Sequence, residues 1–384
     1  MEHTSWIELD RSALRNNIAY MQDLAGPGTR YSMVVKANAY GHGIEEIVPL
    51  VECCGVDHFS VFSVHEARRV HAVAGEACDL MIMGWIDEES LDWAVGNEVS
   101  FFCFTPERLE AALATARRLD RRARLHVELE TGMHRTGFNE EQLGYVVEML
   151  QENEEHLFLE GLCTHFAGAE SSTAYDRVRR QIRTFHRLVE GLAQDGVRPR
   201  YRHAACTAGL MRFPEARLDM VRVGIANYGL WPSAELRLEK VLQEGEERED
   251  PLQRVLTWKS QIMSVNEVPE DEYVSYGRSY LTNRPSKIAT VPVGYGYGFS
   301  RTLSNAGHVL VQGRRVAVIG SVNMNQLVID VTDIDEPAVG DEVVLIGRQG
   351  LRVISVSSFS EMNDSLNYEL LTRLPDHIPR LVVG

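Results

Sequence analysis

Across the first 230 residues, short apolar runs alternate with longer amphipathic ones. The runs are YSMVVKA (31–37), HFSVFSV (58–64), DLMIMGW (79–85), SFFCF (100–104), ARLHVEL (123–129), LEGLCTHFA (159–167), YRHAA (201–205) and MVRVGIA (220–226). Between them, segments such as AYDRVRRQIRTFHRLVEGLAQ repeat apolar residues at spacings of three and four, the period of an amphipathic helix. Strand–helix alternation predicts parallel βαβ units. Eight such repeats predict an α/β fold of the (β/α)8 TIM-type barrel, with a doubly wound sheet as the alternative. The pattern then changes. PSAELRLEKVLQEGEEREDP (232–251) is acidic and polar and reads as an exposed connector. Beyond it, TWKSQIMSVNEV, DEYVSYG, SKIATVPVGYG, GHVLVQGRRVAVIG, NQLVIDVTDI and DEVVLIG read as strands joined by turns, and long helical periodicity is lacking until about 354–371. The expected organisation is a barrel over 10–240 and a mostly β domain over 241–384.

Composition narrows the function classes. The 384 residues, 44% of them hydrophobic, support a sizeable core and two domains. A formal net charge of −16 argues against a nucleic-acid partner and against an anionic membrane surface. No apolar run approaches the ~20 residues of a membrane span. The start, MEHTSWIELDRSALRNN, has no basic n-region or apolar h-region, so no signal peptide is read. The six cysteines form no CxxC pair and mostly lie in apolar segments. They read as buried free thiols of a cytoplasmic protein. No metal ligand set is assigned.

The first apolar run ends in an unusual residue. In VVKANAYGHG (34–43), Lys36 is one of only four lysines, with Lys240, Lys259 and Lys287, among 39 basic residues. This chain writes nearly every positive charge as arginine, so Lys36 reads as a residue with a task that arginine cannot perform. In a barrel, chemistry gathers at the C-terminal ends of the strands and in the loops after them. Lys36, Arg135, His165 and Cys206–Thr207 all fall there, and Arg222 lies in the eighth run. Each alone reads as a solvated rim residue; together they read as a site. A lysine at a barrel mouth forms an imine, binds phosphate or serves as a base, and only an amine can do the first. Gly224, in RVGIANYG, lets a phosphate approach backbone N–H groups. Thr207, Tyr40 and Tyr368 can supply hydroxyls. The residues alone point to a Schiff-base enzyme with a phosphorylated ligand.

A resemblance then makes this specific. VVKANAYGHG is similar to the pyridoxal-phosphate lysine motif of the alanine racemase family. The similarity continues through ETGMHRTGF (130–138), THFAGAE (164–170), HAACTAGL (203–210), VRVGIANYGLWP (221–232), VSYGRSY (274–280), VPVGYGYG (291–298), GSVNMNQLVIDVT (320–332) and NYELLTRLPDHIPR (367–380). The resemblance implies pyridoxal 5'-phosphate as cofactor and racemization of alanine, supplying D-alanine for peptidoglycan precursors. It implies a homodimer with active sites built from both chains, and an N-terminal strand, about 1–9, packed with the β domain. Lys36 would hold the cofactor as a Schiff base and, once displaced by substrate amine, act as one base. Tyr276, supplied by the partner, would be the second base. Two bases on opposite faces of Cα exchange its proton without turning the substrate over. Arg222 would face the pyridine nitrogen and leave it unprotonated, because arginine stays charged and only donates. His165 would link Arg222 to the tyrosine base. Arg135 and Met324 would bind the substrate carboxylate, and Tyr295 would stand at the entrance. Tyr40, Thr207, Gly224, Ile225 and Tyr368 would hold the phosphate.

The chain also departs from the family pattern. Asn325 stands where an aspartate is usual, Tyr297 replaces another aspartate near the entrance, and Cys206 replaces an amide near the ring. These departures put broader amino-acid or serine racemization beside strict alanine specificity. Glu128 occupies the position of a carbamylated lysine in many members, and it is expected to supply that negative charge and orient Arg135. A decarboxylase of the same structural type is disfavoured by Arg222. A non-catalytic cofactor-binding protein is disfavoured by the β domain that carries Tyr276 and Met324.

Overall fold

The computed structural model describes residues 3–244, 250–356, 358 and 368–384. The chain forms two compact units: Arg15–Ala39 with Ile47–Gln253, and Met1–Leu14 with Tyr40–Glu46 and Arg254–Gly384. The first strand, β1 (Ser5–Asp10), belongs to the second of these. The first unit holds β2 (Arg30–Val34), β3 (His58–Val61), β4 (Asp79–Ile82), β5 (Ser100–Cys103), β6 (Ala123–Glu128), β7 (Leu157–Cys163), β8 (Tyr201–His203) and β9 (Met220–Val223). Neighbours pair in parallel, and β9 returns to pair with β2. The seam between β8 and β9 is closed by Asp219 N–H donating to Arg202 C=O and Arg222 N–H to Ala205 C=O, at 3.1 and 3.0 Å. The closed (β/α)8 barrel is therefore present, not the open alternative. Several strands stop short of their predicted runs, because the last residues of those runs already turn into loops at the barrel mouth.

The helices form for the reasons their sequences carry. In Tyr175–Gln194, buried Val178, Ile182, Phe185, Val189 and Leu192 recur at helical spacing. Ser63 caps Val64–Val73 in a reciprocal capping box with Glu66, and Thr105 caps Pro106–Leu119. The acidic segment expected to be a connector is partly helical, over Ala234–Glu244, with Leu236 buried. Its density of charged residues is what a polarity reading takes for coil; residues 245–249 lie outside the described residues. All six cysteines are free, but only Cys103 and Cys163 are buried, and Cys53, past the end of the helix Ile44–Glu52, is exposed.

The barrel interior is polar. His58 Nδ1 lies 2.8 Å from Ser32 Oγ, which meets Ser60 Oγ at 2.5 Å. His126 Nδ1 lies 2.8 Å from His203 Nε2. Nearer the N-terminal ends of the strands, Arg124 donates to Glu160 and Asp79 (2.7 and 2.8 Å), and Arg30 pairs with Asp79 at 2.7 Å. Burial, followed by the charge of Arg30, holds His58 down to about 3. Burial also drives His126 and His203 well below the ordinary imidazole range.

The second unit is built on one mixed sheet. Its strands are β1, β10 (Leu256–Gln261), β11 (Ser264–Val268), β12 (Ser286–Val291), β13 (His308–Val311), β14 (Arg314–Ile319), β15 (Leu327–Asp330), β16 (Glu342–Gln349), β17 (Arg352–Ile354) and β18 (Arg380–Val383). The order is β11-β12-β15-β14-β13-β16-β10-β1-β18, with β17 on β16. β1 pairs antiparallel with β10 and parallel with β18. Gln312 and Gly313, at φ 49° and 73°, make the two-residue turn between β13 and β14. The expected strand in DEYVSYG is absent. Ser275 and Gly277 take φ of 66° and 80°, and Tyr276 begins a single 3-10 turn, Tyr276–Arg278. Of the expected helical stretch 354–371, the described part holds the short helix Glu369–Thr372; residues 357 and 359–367, including Asn367 of its motif, lie outside the described residues.

The buried histidines make stability depend on pH. Unfolded imidazoles titrate near 6.5, and these three stay neutral far below that value. Between the two values the unfolded chain binds protons that the native chain does not. Stability is therefore fully present above pH 6.5 and lost as pH falls below it. Urea midpoints measured down the pH scale are expected to fall from that point, and to fall less steeply in His58→Asn.

Candidate active site

β2 ends at Val34, and Val35 N–H still donates to Ser60 C=O at 2.9 Å. The next residue, Lys36, opens a turn of the wrong hand. Ala37, Asn38, Ala39 and Tyr40 take φ of 51°, 53°, 53° and 54°. Left-handed helix costs an L-residue ~1–2 kcal/mol, and four in succession occur only where the surroundings impose them. Ala37 N–H donates to Glu66 Oε1 (2.6 Å), Arg69 Nη2 to Asn38 Oδ1 (2.8 Å), and Ala39 N–H to Val35 C=O (2.8 Å). This accounts for the small residues after Lys36: large or branched side chains would add to the strain. The turn ends the strand sharply and fixes Lys36 beside the barrel mouth.

Lys36 is half-buried among cations. Burial comes first, then Arg135, and these with Arg222 lower its amine below the ordinary lysine value, against the weaker pull of Glu66 and Cys206. His165 is pushed down to about 3 by burial, then by Arg222, Arg135 and Lys36. The structure thus brings Lys36, Arg135, His165, Cys206 and Arg222 into one electrostatic group, with His165 neutral and the Lys36 amine lowered below its ordinary value. The loop that carries His165 is pinned from below. Buried Gln181 accepts from Ala167 N–H (2.8 Å) and donates to His165 C=O (3.0 Å), while the Thr131 and Thr164 hydroxyls meet at 2.7 Å.

Arg222 is buried and held by acceptors. Nη2 donates to Thr164 C=O (2.8 Å) and Ala204 C=O (3.3 Å), and Nη1 to His203 Nδ1 and His203 C=O. No carboxylate pairs with it among the described residues; Asp219 instead binds Arg202 at 2.8 Å. Beside it, Gly224 N–H donates to Thr207 Oγ1 at 3.0 Å. Thr207 starts the helix Thr207–Arg212 and Ile225 the 3-10 turn Ile225–Tyr228, and neither is capped by a side chain. Two short helical starts therefore leave backbone N–H groups next to one hydroxyl, a donor set that suits an oxyanion. An amine of lowered proton affinity for an aldehyde, a permanent donor and an oxyanion cradle fit pyridoxal phosphate.

Glu128 and Arg135 depart from expectation. Glu128 is buried, and its carboxyl bonds the Thr136 hydroxyl; burial raises it, while Thr136, Arg222 and Arg135 act in the other direction. No ion pair joins it to Arg135 among the described residues. The influence of Glu128 on Arg135 is electrostatic, and Arg135 itself is exposed, lining a cavity of about 370 Å3 with Phe104, Thr136 and Gln142.

The other expected residues lie in the second unit. The Tyr40 ring meets Tyr368 edge-on, with centroids 6.0 Å apart. Tyr276 is 73% exposed and Met324 57%. Tyr295 N–H donates to Asn323 C=O (3.0 Å), and Gly296 N–H to Met324 C=O (2.9 Å). Gly294 permits this approach, since a Cβ there would lie 2.6 Å from Met324 O. Tyr297 packs edge-on against His377. The residue that sequence reading missed is His203. It lies in the run YRHAA and the motif HAACTAGL with no local mark of a role, and the structure buries it fully beside Arg222.

Two substitutions test the turn. Ala39→Gly is expected to leave stability unchanged or raised, while Ala39→Val is expected to lower it by about 2 kcal/mol in urea unfolding, since a branched residue fits neither the positive φ nor the closed site. A third test concerns charge. Reductive alkylation by an aldehyde, read by mass spectrometry, is expected to reach Lys36 at a lower pH than exposed Lys287. Arg135→Leu should move the Lys36 profile upward, because it removes a cation that disfavours the ammonium form.

Comparison with known proteins agrees with this geometry. Residues 9–232 match the family model for the alanine racemase N-terminal domain, and residues 255–382 match that for its C-terminal domain. The chain is 34% identical to the alanine racemase of Methanococcus maripaludis over 99% of both chains. It is 36% identical to that of Symbiobacterium thermophilum, over 99% of this chain and 97% of the relative. Among solved structures, the alanine racemase of Bacillus anthracis with bound L-Ala-P superposes with a TM-score of 0.91 at 29% identity, covering 100% of this chain and 96% of the other. That of Bartonella henselae, with covalently bound pyridoxal phosphate, gives 0.84 at 25% identity, covering 99% and 100%. The chain belongs to the alanine racemase family, pyridoxal-phosphate-dependent isomerases that act on amino acids.

Proposed function

We propose that this protein interconverts L- and D-alanine by a two-base reaction at a site organised by Lys36. The observation that carries the reading is the Lys36 amine at the barrel mouth, lowered below the ordinary lysine value first by burial and then by Arg135, with Arg222 adding to both. Pyridoxal phosphate, when bound, supplies an aldehyde for that amine and a ring that draws electron density from the substrate Cα. Lys36 Nζ, its proton affinity lowered, would be able both to bond the aldehyde and, once released, to take or return the Cα proton on one face. Tyr276 Oη is the proton carrier for the opposite face. Arg222 donates to the pyridine nitrogen without protonating it, which limits electron withdrawal and disfavours transamination and decarboxylation. His165, neutral, stands beside Arg222 and adds no further positive charge.

The Thr207 hydroxyl and the backbone of Gly224 and Ile225, with Tyr40 and Tyr368, hold the phosphate. Arg135 and Met324 bind the substrate carboxylate, and Tyr295 guards the entrance. The exposed Tyr276 and Met324 support a homodimer in which each chain completes its partner's site. The protein works in the cytoplasm, and its D-alanine feeds peptidoglycan precursors. Asn325 and Tyr297 are the residues that set how strictly alanine is selected.

A chiral assay of the purified protein against a panel of L-amino acids, serine included, tests this directly. D-alanine is expected from L-alanine; no D product from any member would overturn the reading. Lys36→Ala is expected to abolish the reaction. Tyr276→Phe should slow it by roughly 10²–10⁴-fold, the usual worth of one general acid–base group.

A further inference from the structure

Behind Arg222 lies a second layer of structure that the reaction scheme does not use. Arg222 Nη1 donates to His203 Nδ1, and His203 Nε2 lies 2.8 Å from His126 Nδ1. A guanidinium has donors only, so His203 Nδ1 accepts. A neutral imidazole that accepts through one nitrogen carries its proton on the other. His203 Nε2–H therefore donates to His126 Nδ1, and the His126 proton sits on Nε2. Each tautomer is dictated by the one before it. Both rings are fully buried, and His126 Nε2 finds no hydrogen-bond partner among the described residues. A leucine would fill that space without an unsatisfied donor, so packing alone does not call for this imidazole.

The backbone around the pair is shaped for it. Along β6 and β7 the register steps from Leu125–Leu159 to His126–Gly161, so Glu160 is bulged out, where Arg124 takes it. That step sets Gly161 against the two rings. A Cβ at Gly161 would overlap His126 Nδ1 and come within 2.8 Å of His203 Nε2. Phe102 packs near both rings, with centroids 6.2 and 6.0 Å away, and the Arg222 guanidinium carbon lies 5.8 Å from the Phe102 centroid.

We propose that His126 is a positioning residue for the racemase reaction, acting through His203 to fix the orientation of the Arg222 guanidinium. By accepting from His203 Nε2–H, it locks the tautomer whose Nδ1 receives Arg222. Without that acceptor His203 is free to place its proton on Nδ1, facing the guanidinium. The catalytic consequence rests on the proposed place of Arg222 at the cofactor ring; the tautomer order does not.

The test separates the two. Asn presents an acceptor where His126 has Nδ1, and Leu presents none. In cofactor-free protein carrying 15N-histidine, long-range 1H–15N spectra of the wild type and of His126→Asn are expected to show His203 protonated at Nε2, and His126→Leu to show mixed tautomers. In the loaded enzyme, His126→Leu should lower kcat roughly tenfold, the order of one buried hydrogen bond, with KM little changed, and His126→Asn should restore most of it. Gly161→Ala, which presses on the same contact from β7, should reproduce the leucine effect if the leucine variant fails to fold. His203 protonated at Nδ1 in the wild type would overturn the proposal. So would equal kcat in wild type and His126→Leu, or an asparagine variant as slow as the leucine one. A wild type that shows the Nε2 tautomer but racemizes nothing would sink the functional reading and leave the tautomer order standing.

Discussion

One buried cation organises the barrel mouth. Arg222 cannot shed its proton, and it sits in a pocket of carbonyl and imidazole acceptors without a carboxylate partner among the described residues. Burial first, and the charge of Arg222 with it, lowers the basic groups around it: Lys36, His165, His203 and His126. For Lys36 burial comes first and Arg135 next, with Arg222 adding a smaller push in the same direction. The same permanent charge lets Arg222 donate hydrogen bonds without ever acting as an acid.

The interior of the barrel is arranged around this charge. Small hydroxyls and imidazoles on β2, β3, β6 and β8 bond one another where branched apolar side chains usually fill such a core. A bulge in β7 and a glycine opposite the imidazole pair make the room. Further down, Arg30, Asp79, Arg124 and Glu160 neutralise one another at the N-terminal ends of the strands. Hydrogen bonding, more than shape alone, gives this core its specificity, at the cost of sensitivity to acid.

Strain is concentrated where the chain leaves β2. Four residues of left-handed turn follow Lys36, and Glu66, Asn38 and Arg69 hold them. Ser275, at φ 66°, precedes Tyr276 in the second unit. The two proposed proton carriers therefore both sit beside non-glycine residues in sparsely populated backbone conformations, where a rigid surrounding fold fixes side-chain placement more tightly than a relaxed loop does.

The eight barrel strands and the β domain after them were legible in the chain itself, and the rarity of lysine singled out Lys36 as a candidate. Strand–helix alternation is a local periodicity, and the scarcity of lysine is a matter of counting. The family followed from motifs in order along the chain. What the sequence could not show was anything that depends on residues far apart meeting. The helix in 234–244 was hidden because so dense a run of charged residues looks like a coil. The strand expected at Tyr276 failed because the positive φ of Ser275 is imposed by its surroundings and has no signature in a serine. Glu128 was expected to orient Arg135, and its carboxyl instead bonds Thr136, a choice between neighbours only geometry makes. His126, His203 and Arg222 lie on three different strands, 77 and 19 residues apart, and nothing local to any of them announces the pair. Local pattern determined the elements and singled out Lys36. Tertiary structure alone decided that its amine falls below the ordinary lysine value, because an ionisation equilibrium is set by every charge and every lost water around a group, and those arrive only when the barrel closes.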